Sequence, residues 1–294
     1  MYRLNVIGCG KVGRTLARLL SEKGLVTTLS MVSGSRESAL EARDFVGAGE
    51  VNKDISDLPA ADIWMIAVGD SKLSAMSRDL LNFGRVGEES VVFHCSGAVG
   101  SSVFAPLRDR GASVGSVHPI RSFADPALAH ASFAGTYCAL EGDQQAITQL
   151  RPLFEALGAR TFELSAESKT RCHAGHVIVS NYLVALLDIG RGVYEAAGVP
   201  RDFIDEFMLS LAQGTLENVR SLGTTEALTG PIVRGEIDTV KKQLDNLRQE
   251  HAIEGVSLGA PVYALLGQVA LQIAERKAAL SRTEVERLRA LLAG

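Results

Sequence analysis

Two groups of residues in this sequence have the types and the spacing that chemistry requires. The first is Lys169, His173, His176 and Ser180, which at about 100° per residue fall on one stripe of a helix, with Asn181 on its flank. Around and beyond them residues 178–189 are apolar on nearly every side, so polar groups gathered on one side need a reason. Lysine and histidine can give or take a proton once burial or neighbours bring their pKa towards neutrality, and Asn181 can hold a substrate oxygen. The alternative is that these groups satisfy one another, or backbone carbonyls, where two domains meet. His176, a turn further in, reads more readily as a satisfied core histidine. His173 and His176 also have His-x-x-His spacing, but a metal site needs a third ligand that the sequence does not obviously supply, so no metal is expected.

The second group is Gly8-Cys9-Gly10-Lys11-Val12-Gly13, a G-x-G-x-x-G run that follows the apolar Leu4–Ile7 and leads into Val12, Leu16, Leu19 and Leu20 at helical spacing. Strand, tight turn and helix in that order form a dinucleotide-binding turn. Gly8 permits the bend, Gly10 lets a pyrophosphate approach the backbone, and Gly13 lets helix and strand pack closely. The phosphates would rest on the free N–H groups of the helix N-terminus. A second strand, 26–32, ends in Ser33-Gly34-Ser35-Arg36, where an NAD site usually carries an acidic residue for the ribose. Hydroxyls from Ser33 and Ser35 and the guanidinium of Arg36 suit a 2′-phosphate instead, so NADP is favoured over NAD. The competing reading is a solvated loop with an ordinary surface arginine.

Elements that must position these groups follow from the hydrophobic pattern. Further strands are expected at 62–68, 90–95, 113–117, 136–140 and 161–164, alternating with helices. That predicts an α/β fold, a doubly wound, mainly parallel Rossmann sheet over 1–165, followed by an all-helical second domain over 166–294. Ligands of such sheets lie beyond the carboxyl ends of the strands, which puts Val68, Gly69, Ser96 and Gly97 on the nicotinamide edge. His118-Pro119 ends another strand, where His118 either faces the cleft or caps the strand. From about Ser168 the strand signals vanish. Helices are expected from 167 to the stop signal Gly198-Val199-Pro200, then over 202–221, 236–252 and 259–279, with a short one after Ser281. The turn Leu228-Thr229-Gly230-Pro231 presents Thr229 and, shortly after, Arg234, a candidate clamp for a substrate carboxylate. A helix apolar all round needs partners all round, which predicts sheathing by other helices and a homodimer built on the helical domain.

Composition narrows the class. With 294 residues and 46% hydrophobic content there is material for two cores, and a mostly disordered chain is excluded. The net charge of -4, the pI near 5.9 and the lack of a Lys/Arg cluster interleaved with aromatics argue against nucleic acid. Four scattered cysteines, Cys9, Cys95, Cys138 and Cys172, without zinc spacing, suit a reducing cytoplasmic setting. A strand that begins almost at the N-terminus leaves no room for a signal peptide. The most apolar run, 174–187, falls short of the roughly 20 residues that cross a bilayer and reads as a buried helix, so no membrane partner is expected.

The glycine turn, His94-Cys95-Ser96-Gly97-Ala98, His118-Pro119 with Ser122-Phe123, Asn181 to Leu186 and Leu228-Thr229-Gly230-Pro231-Ile232 together resemble bacterial Rossmann-like oxidoreductases whose C-terminal helical domain is of unknown function. More distantly the chain resembles pyrroline-5-carboxylate reductase, deazaflavin-dependent NADP reductase and the 3-hydroxyisobutyrate dehydrogenase group. The last group carries a catalytic lysine followed four residues later by asparagine. Here His173 stands four residues after Lys169 and Asn181 comes later, so the resemblance implies either Lys169 or His173 as proton donor. The expected activity is hydride transfer between NADP and a small polar carbonyl, hydroxy or imino substrate, with Asn181, Ser96 or Arg234 positioning it. The alternative is a sensor that holds NADP without turnover; the polar stripe speaks against it and the lack of a complete catalytic motif speaks for it.

Overall fold

Alternation of short apolar strands with amphipathic helices dominates the computed structural model, which describes residues 1–249 and 258–293. The first part runs β1 (Tyr2–Ile7), α1 (Lys11–Glu22), β2 (Val26–Val32), α2 (Arg36–Val46), β3 (Glu50–Val51), β4 (Ile63–Ile66), α3 (Leu73–Phe83), β5 (Val91–His94), α4 (Ala105–Arg108), β6 (Ser113–Pro119), α5 (Pro126–Ala131), β7 (Tyr137–Gly142), α6 (Gln144–Ala156) and β8 (Arg160–Glu163). The strands form one eight-stranded sheet in the order β3-β2-β1-β4-β5-β6-β7-β8. All neighbours are parallel except β6 and β7. The expected mainly parallel Rossmann sheet is present.

Side chains alternate across each strand, so the sheet buries two separate cores. Leu4, Val6, Met65 and Phe93 face one way and pack with Leu16, Leu20, Leu150 and Phe154 from α1 and α6. Ile7, Trp64, Ile66 and Val92 face the other way, against Leu73, Leu80, Phe104 and Leu107. Register decides where the loops emerge. Ile7 pairs with Ile66, Ile66 with His94 and His94 with Ser116, so the carboxyl ends of β1, β4 and β5 form one edge. Because β7 returns antiparallel, Ser116 pairs with Glu141 and His118 with Ala139.

After β8 come α7 (Ala166–His176), a π turn (Val177–Asn181), α8 (Tyr182–Ala196), α9 (Arg201–Ala227), α10 (Ile237–Gln249), α11 (Gly259–Arg276) and α12 (Arg282–Ala293). The helix expected over 236–252 is found as far as Gln249, and its last three residues lie outside the described ones. The chain packs as two units, Met1–Ser180 and Asn181–Gly294. The packing divide thus lies within the helical run and not ahead of it at 165, because α7 is tied to the sheet by Lys169, whose side chain is buried. In the second unit, Val240, Leu271, Val285 and Leu288 form one cluster and Leu244, Leu247 and Ala260 another. Gly223, at φ 75° and ψ 168°, breaks α9 near its end.

One expectation is corrected here. The run Ala166–Ala196 is continuous over 31 residues, its most apolar window has a mean hydropathy of 1.3, and none of that window is buried. By length and composition alone it is sufficient to cross a membrane, which the shorter apolar core at 174–187 does not suggest. It is not a buried helix: Ile178, Val179, Tyr182 and Val184 are exposed. Among the described residues of a single chain, the remaining helices do not cover this face.

Candidate active site

The glycine turn is built as its spacing predicts. Gly8 has φ +94°, and a Cβ there would stand 2.5 Å from the Ala67 carbonyl oxygen; one on Gly13 would stand 2.1 Å from the Gly8 carbonyl oxygen. Both positions therefore exclude every side chain. Gly10 differs: its φ of -66° is ordinary, and nothing lies within 4 Å of where its Cβ would point. No side chain caps the N-terminus of α1, so the amides of Lys11 and Val12 stay available for an anion. Lys11 is exposed and Val12 packs on the core. Cys9 contributes backbone only. Its thiol is buried, donates to the Val32 carbonyl at 3.5 Å, and burial pushes its pKa up to about 11.

At the end of β2, Ser35 accepts a hydrogen bond from the Ser38 amide and caps α2, and Ser33 Oγ lies 3.3 Å from Ser38 Oγ. Arg36 opens the helix and is exposed. The Ser35 hydroxyl thus serves the cap, and Glu37 lies in the first turn of α2. Val68 lies against the turn, its Cγ1 2.9 Å from a Cβ on Gly8, and Gly69 follows it at the same edge.

Lys169 is the centre of a buried polar network. Its Nζ donates to Ser116 Oγ at 2.7 Å and to the Ser96 carbonyl at 3.1 Å, with Glu141 Oε2 at 3.9 Å. Glu141 accepts from the Ser101 amide at 2.9 Å, the Ser101 hydroxyl at 2.7 Å and the Ser116 hydroxyl at 3.0 Å. Lys169 is 1% and Glu141 8% exposed, so this is a buried ion pair with its hydrogen bonds satisfied. Burial lowers the lysine pKa, opposed by the charges of Glu141 and Asp70. With its N–H groups directed at Ser96, Ser116 and Glu141, Lys169 ties α7 to the loop after β5.

Three imidazoles meet beside that loop. The His118 and His173 rings lie 5.5 Å apart edge to face, and His118 stacks on His176 at 5.6 Å. His118 Nδ1 lies 3.2 Å from the Cys95 carbonyl oxygen, which can only accept, so Nδ1 carries the proton and Nε2 a lone pair. Burial, with the charges of His173, His176 and Lys169 beside it, holds the His118 pKa down to about 4. A Cβ on Gly97 would stand 2.5 Å from His173 Nδ1 and 2.7 Å from His118 Nε2, so only glycine admits both nitrogens there. Ser96 instead shapes the turn, its hydroxyl accepting from the amides of Ala98 and Val99. His94 Nδ1 accepts from the Ser96 amide at 3.2 Å, and burial takes its pKa down to about 4.

Other expected site residues do not join this group. Ser180 and Asn181 are exposed within the π turn, whose i→i+5 bonding breaks the 3.6-residue periodicity on which the stripe rests. Arg234, in the second unit, binds Glu236 at 2.6 Å, so its guanidinium already has a carboxylate. Thr229 lines an apolar cavity of that unit with Leu186, Val193 and Tyr263. Glu141, Ser116 and Ser101 escape the motif and spacing arguments, although a carboxylate inside the apolar strand Tyr137-Cys138-Ala139-Leu140-Glu141 is a usable signal.

An open, mainly parallel α/β sheet with a glycine turn after β1 and a polar cluster beside the ends of β5 and β6 is the Rossmann-like architecture. Residues 2–119 match the profile of the Rossmann-like domain and residues 136–268 that of DUF2520, a domain of unknown function, so the chain combines these two domains. The fold is shared with a candidate NADP oxidoreductase from Bacteroides fragilis, 21% identical with a TM-score of 0.75, over 93% of this chain and 98% of that one. It is shared also with an imine reductase from Myxococcus stipitatus in complex with NADP+, 13% identical with a TM-score of 0.66, over 99% of each chain. A 1-pyrroline-5-carboxylate reductase from Streptococcus pyogenes is 13% identical with a TM-score of 0.57, over 95% of this chain and 99% of that one. No curated protein sequence matches the chain.

Proposed function

We propose that this protein is an NADP-dependent oxidoreductase that moves a hydride between the nicotinamide and a small polar carbonyl, hydroxy or imino compound. One observation carries the reading: the imidazole cluster around Gly97 stands on the same strand-end edge as the glycine turn. The oxidoreductase and imine reductase folds of its structural relatives support it. The pyrophosphate would rest on the amides of Lys11 and Val12 and the 2′-phosphate beside Ser33 and Arg36. When bound, the cofactor supplies or accepts the hydride. His173, whose Nδ1 has no hydrogen-bond partner among the described residues, holds the accompanying proton, with His118 beside it. Lys169 holds the carbonyl of Ser96 and so fixes the loop that carries Gly97.

The reading is tested with NADPH and NADP⁺ against keto acids, hydroxy acids and cyclic imines, followed at the nicotinamide absorbance, and with calorimetry. A charge-assisted hydrogen bond contributes about 1.5–3 kcal/mol, so NADP is expected to bind about ten- to a hundredfold more tightly than NAD, and Arg36→Ala to remove that preference. Equal affinities in the unaltered chain would overturn the NADP assignment. Tight binding without turnover on a broad panel would favour an NADP sensor.

We assign the uncovered apolar faces of α8, α9 and α11 to a second copy of the chain. Val184 and Leu186, Phe203, Leu211 and Leu216, and Leu265, Leu266 and Val269 are all exposed, far more large apolar side chains than a monomer scatters on one helical unit. Asp188 and Arg191 interrupt α8, which suits a protein partner better than lipid. The expected homodimer buries about 2,000 Å² or more. Sedimentation at micromolar concentration that finds only monomer would refute it. All four cysteines are free thiols, in keeping with the cytoplasmic setting we assign.

A further inference from the structure

Three histidines from two distant segments bring one nitrogen each to within 4.8 Å of one another: His118 at the end of β6, and His173 and His176 one turn apart on α7. His-x-x-His on a helix lacks a third ligand in the sequence; the fold supplies it from the sheet. His173 Nδ1 and His176 Nδ1 are both buried and have no hydrogen-bond partner among the described residues. Leaving a buried polar atom unsatisfied is costly, and two in one cluster point to a missing ligand, water or ion.

Two of the three rings have a partner behind them. The N–H of His118 Nδ1 is held by the Cys95 carbonyl, which aims Nε2 inward, and His176 Nε2 lies 3.6 Å from Cys172 Sγ, which leaves Nδ1 on the inner side. A backbone carbonyl or similar group behind each imidazole is the usual arrangement around a metal-binding histidine, because it fixes the tautomer and the ring plane. Gly97 has no side chain where one would meet His118 Nε2 and His173 Nδ1, so the space between those nitrogens is open. The nearby ammonium of Lys169 is paired with Glu141 and hydrogen-bonded away from the rings.

We propose that His118, His173 and His176 bind one divalent transition cation of the zinc class and leave its fourth position open. Zinc takes imidazole nitrogens at about 2.0–2.1 Å, so the rings must draw in by roughly an ångström, which rotation of half-buried side chains allows. Three histidines with a free fourth position would leave room for a water or a substrate oxygen or nitrogen, to which the cation would supply Lewis-acid chemistry; with the cation bound, His173 Nδ1 would be a ligand and could not also hold the proton of the proposed reaction. The metal site stands independently of the dinucleotide, and its test uses neither cofactor nor turnover.

The full chain, stripped with chelator, is titrated with Co2+ as a coloured stand-in for Zn2+. The expected result is one Co2+ per chain with the intense visible bands of four-coordinate cobalt, displaced by Zn2+. His118→Ala, His173→Ala and His176→Ala should each weaken binding about tenfold or more, while His130→Ala, at an exposed contact to Glu22, should not. Because a histidine variant can fail to fold, imidazole nitrogen NMR on the unaltered chain gives a second reading. Zn2+ should shift the resonances of three histidines and leave His130 in place. No cobalt spectrum, binding unaffected by the three substitutions, or unmoved imidazole resonances would each overturn the site. If the unaltered chain takes up cobalt as expected but the separate calorimetry finds no NADP binding, only the oxidoreductase reading falls.

Discussion

Replacing Lys169 with methionine is expected to destabilise the protein by about 3–5 kcal/mol, the scale for removing one partner of a buried ion pair. Methionine fills the space of the lysine stem, so the loss comes mainly from charge. Glu141 would be left at 8% exposure without its cationic partner, with only the Ser101 and Ser116 donors around it. Adding Glu141→Gln should recover a large share, because a neutral amide still accepts from Ser101 and carries no unpaired charge. Urea denaturation of the two single variants and the double variant isolates the coupling. A Lys169→Met chain within about 1 kcal/mol of the parent would show that the pair does not hold α7 to the sheet. The same experiment separates position from chemistry: a lysine acting only on substrate would change turnover and leave stability alone.

Gly10→Val should fold normally and bind NADP at least about a hundredfold more weakly. Gly10 has an ordinary φ, and nothing lies within 4 Å of where its Cβ would point, so a side chain begins in open space. That open space lies before the uncapped amides of α1, where the pyrophosphate is proposed to rest. Losing two charge-assisted bonds of about 1.5 kcal/mol each corresponds to that factor or more. Gly13→Ala should behave differently. Its Cβ would be 2.1 Å from the Gly8 carbonyl oxygen, a backbone atom that cannot move without breaking the turn, so stability and binding should fall together. Thermal melts and calorimetry on both variants distinguish the two. NADP affinity unchanged in a folded Gly10→Val chain would place the pyrophosphate elsewhere.

What lies close together along the chain was legible in the sequence. The strand 26–32 appears with the expected limits, α8 ends just before Gly198-Val199-Pro200, and α12 begins directly after Ser281. Those features depend on periodicity and local backbone geometry, which neighbouring residues set among themselves. The glycine turn belongs with them through Gly13, which answers to the Gly8 carbonyl oxygen, and through the φ of +94° at Gly8; the Ala67 oxygen that also bars a side chain at Gly8 comes from the segment after β4, beyond local reach.

Tertiary structure alone decided the site. Glu141 reaches Ser116 and Lys169 because β7 returns antiparallel to β6, and nothing in the apolar pattern of β7 states its direction or register. His118 meets His173 and His176 because β6 and α7 converge from segments far apart along the chain, a pairing no helical wheel contains. Ser180 and Asn181 leave the stripe because one π turn breaks the periodicity that a wheel assumes. Arg234 found its carboxylate two residues away, a local pair that the charges of Arg234 and Glu236 already allowed. The apolar helix remains uncovered in one chain because composition records that a face needs a partner, not which chain provides it.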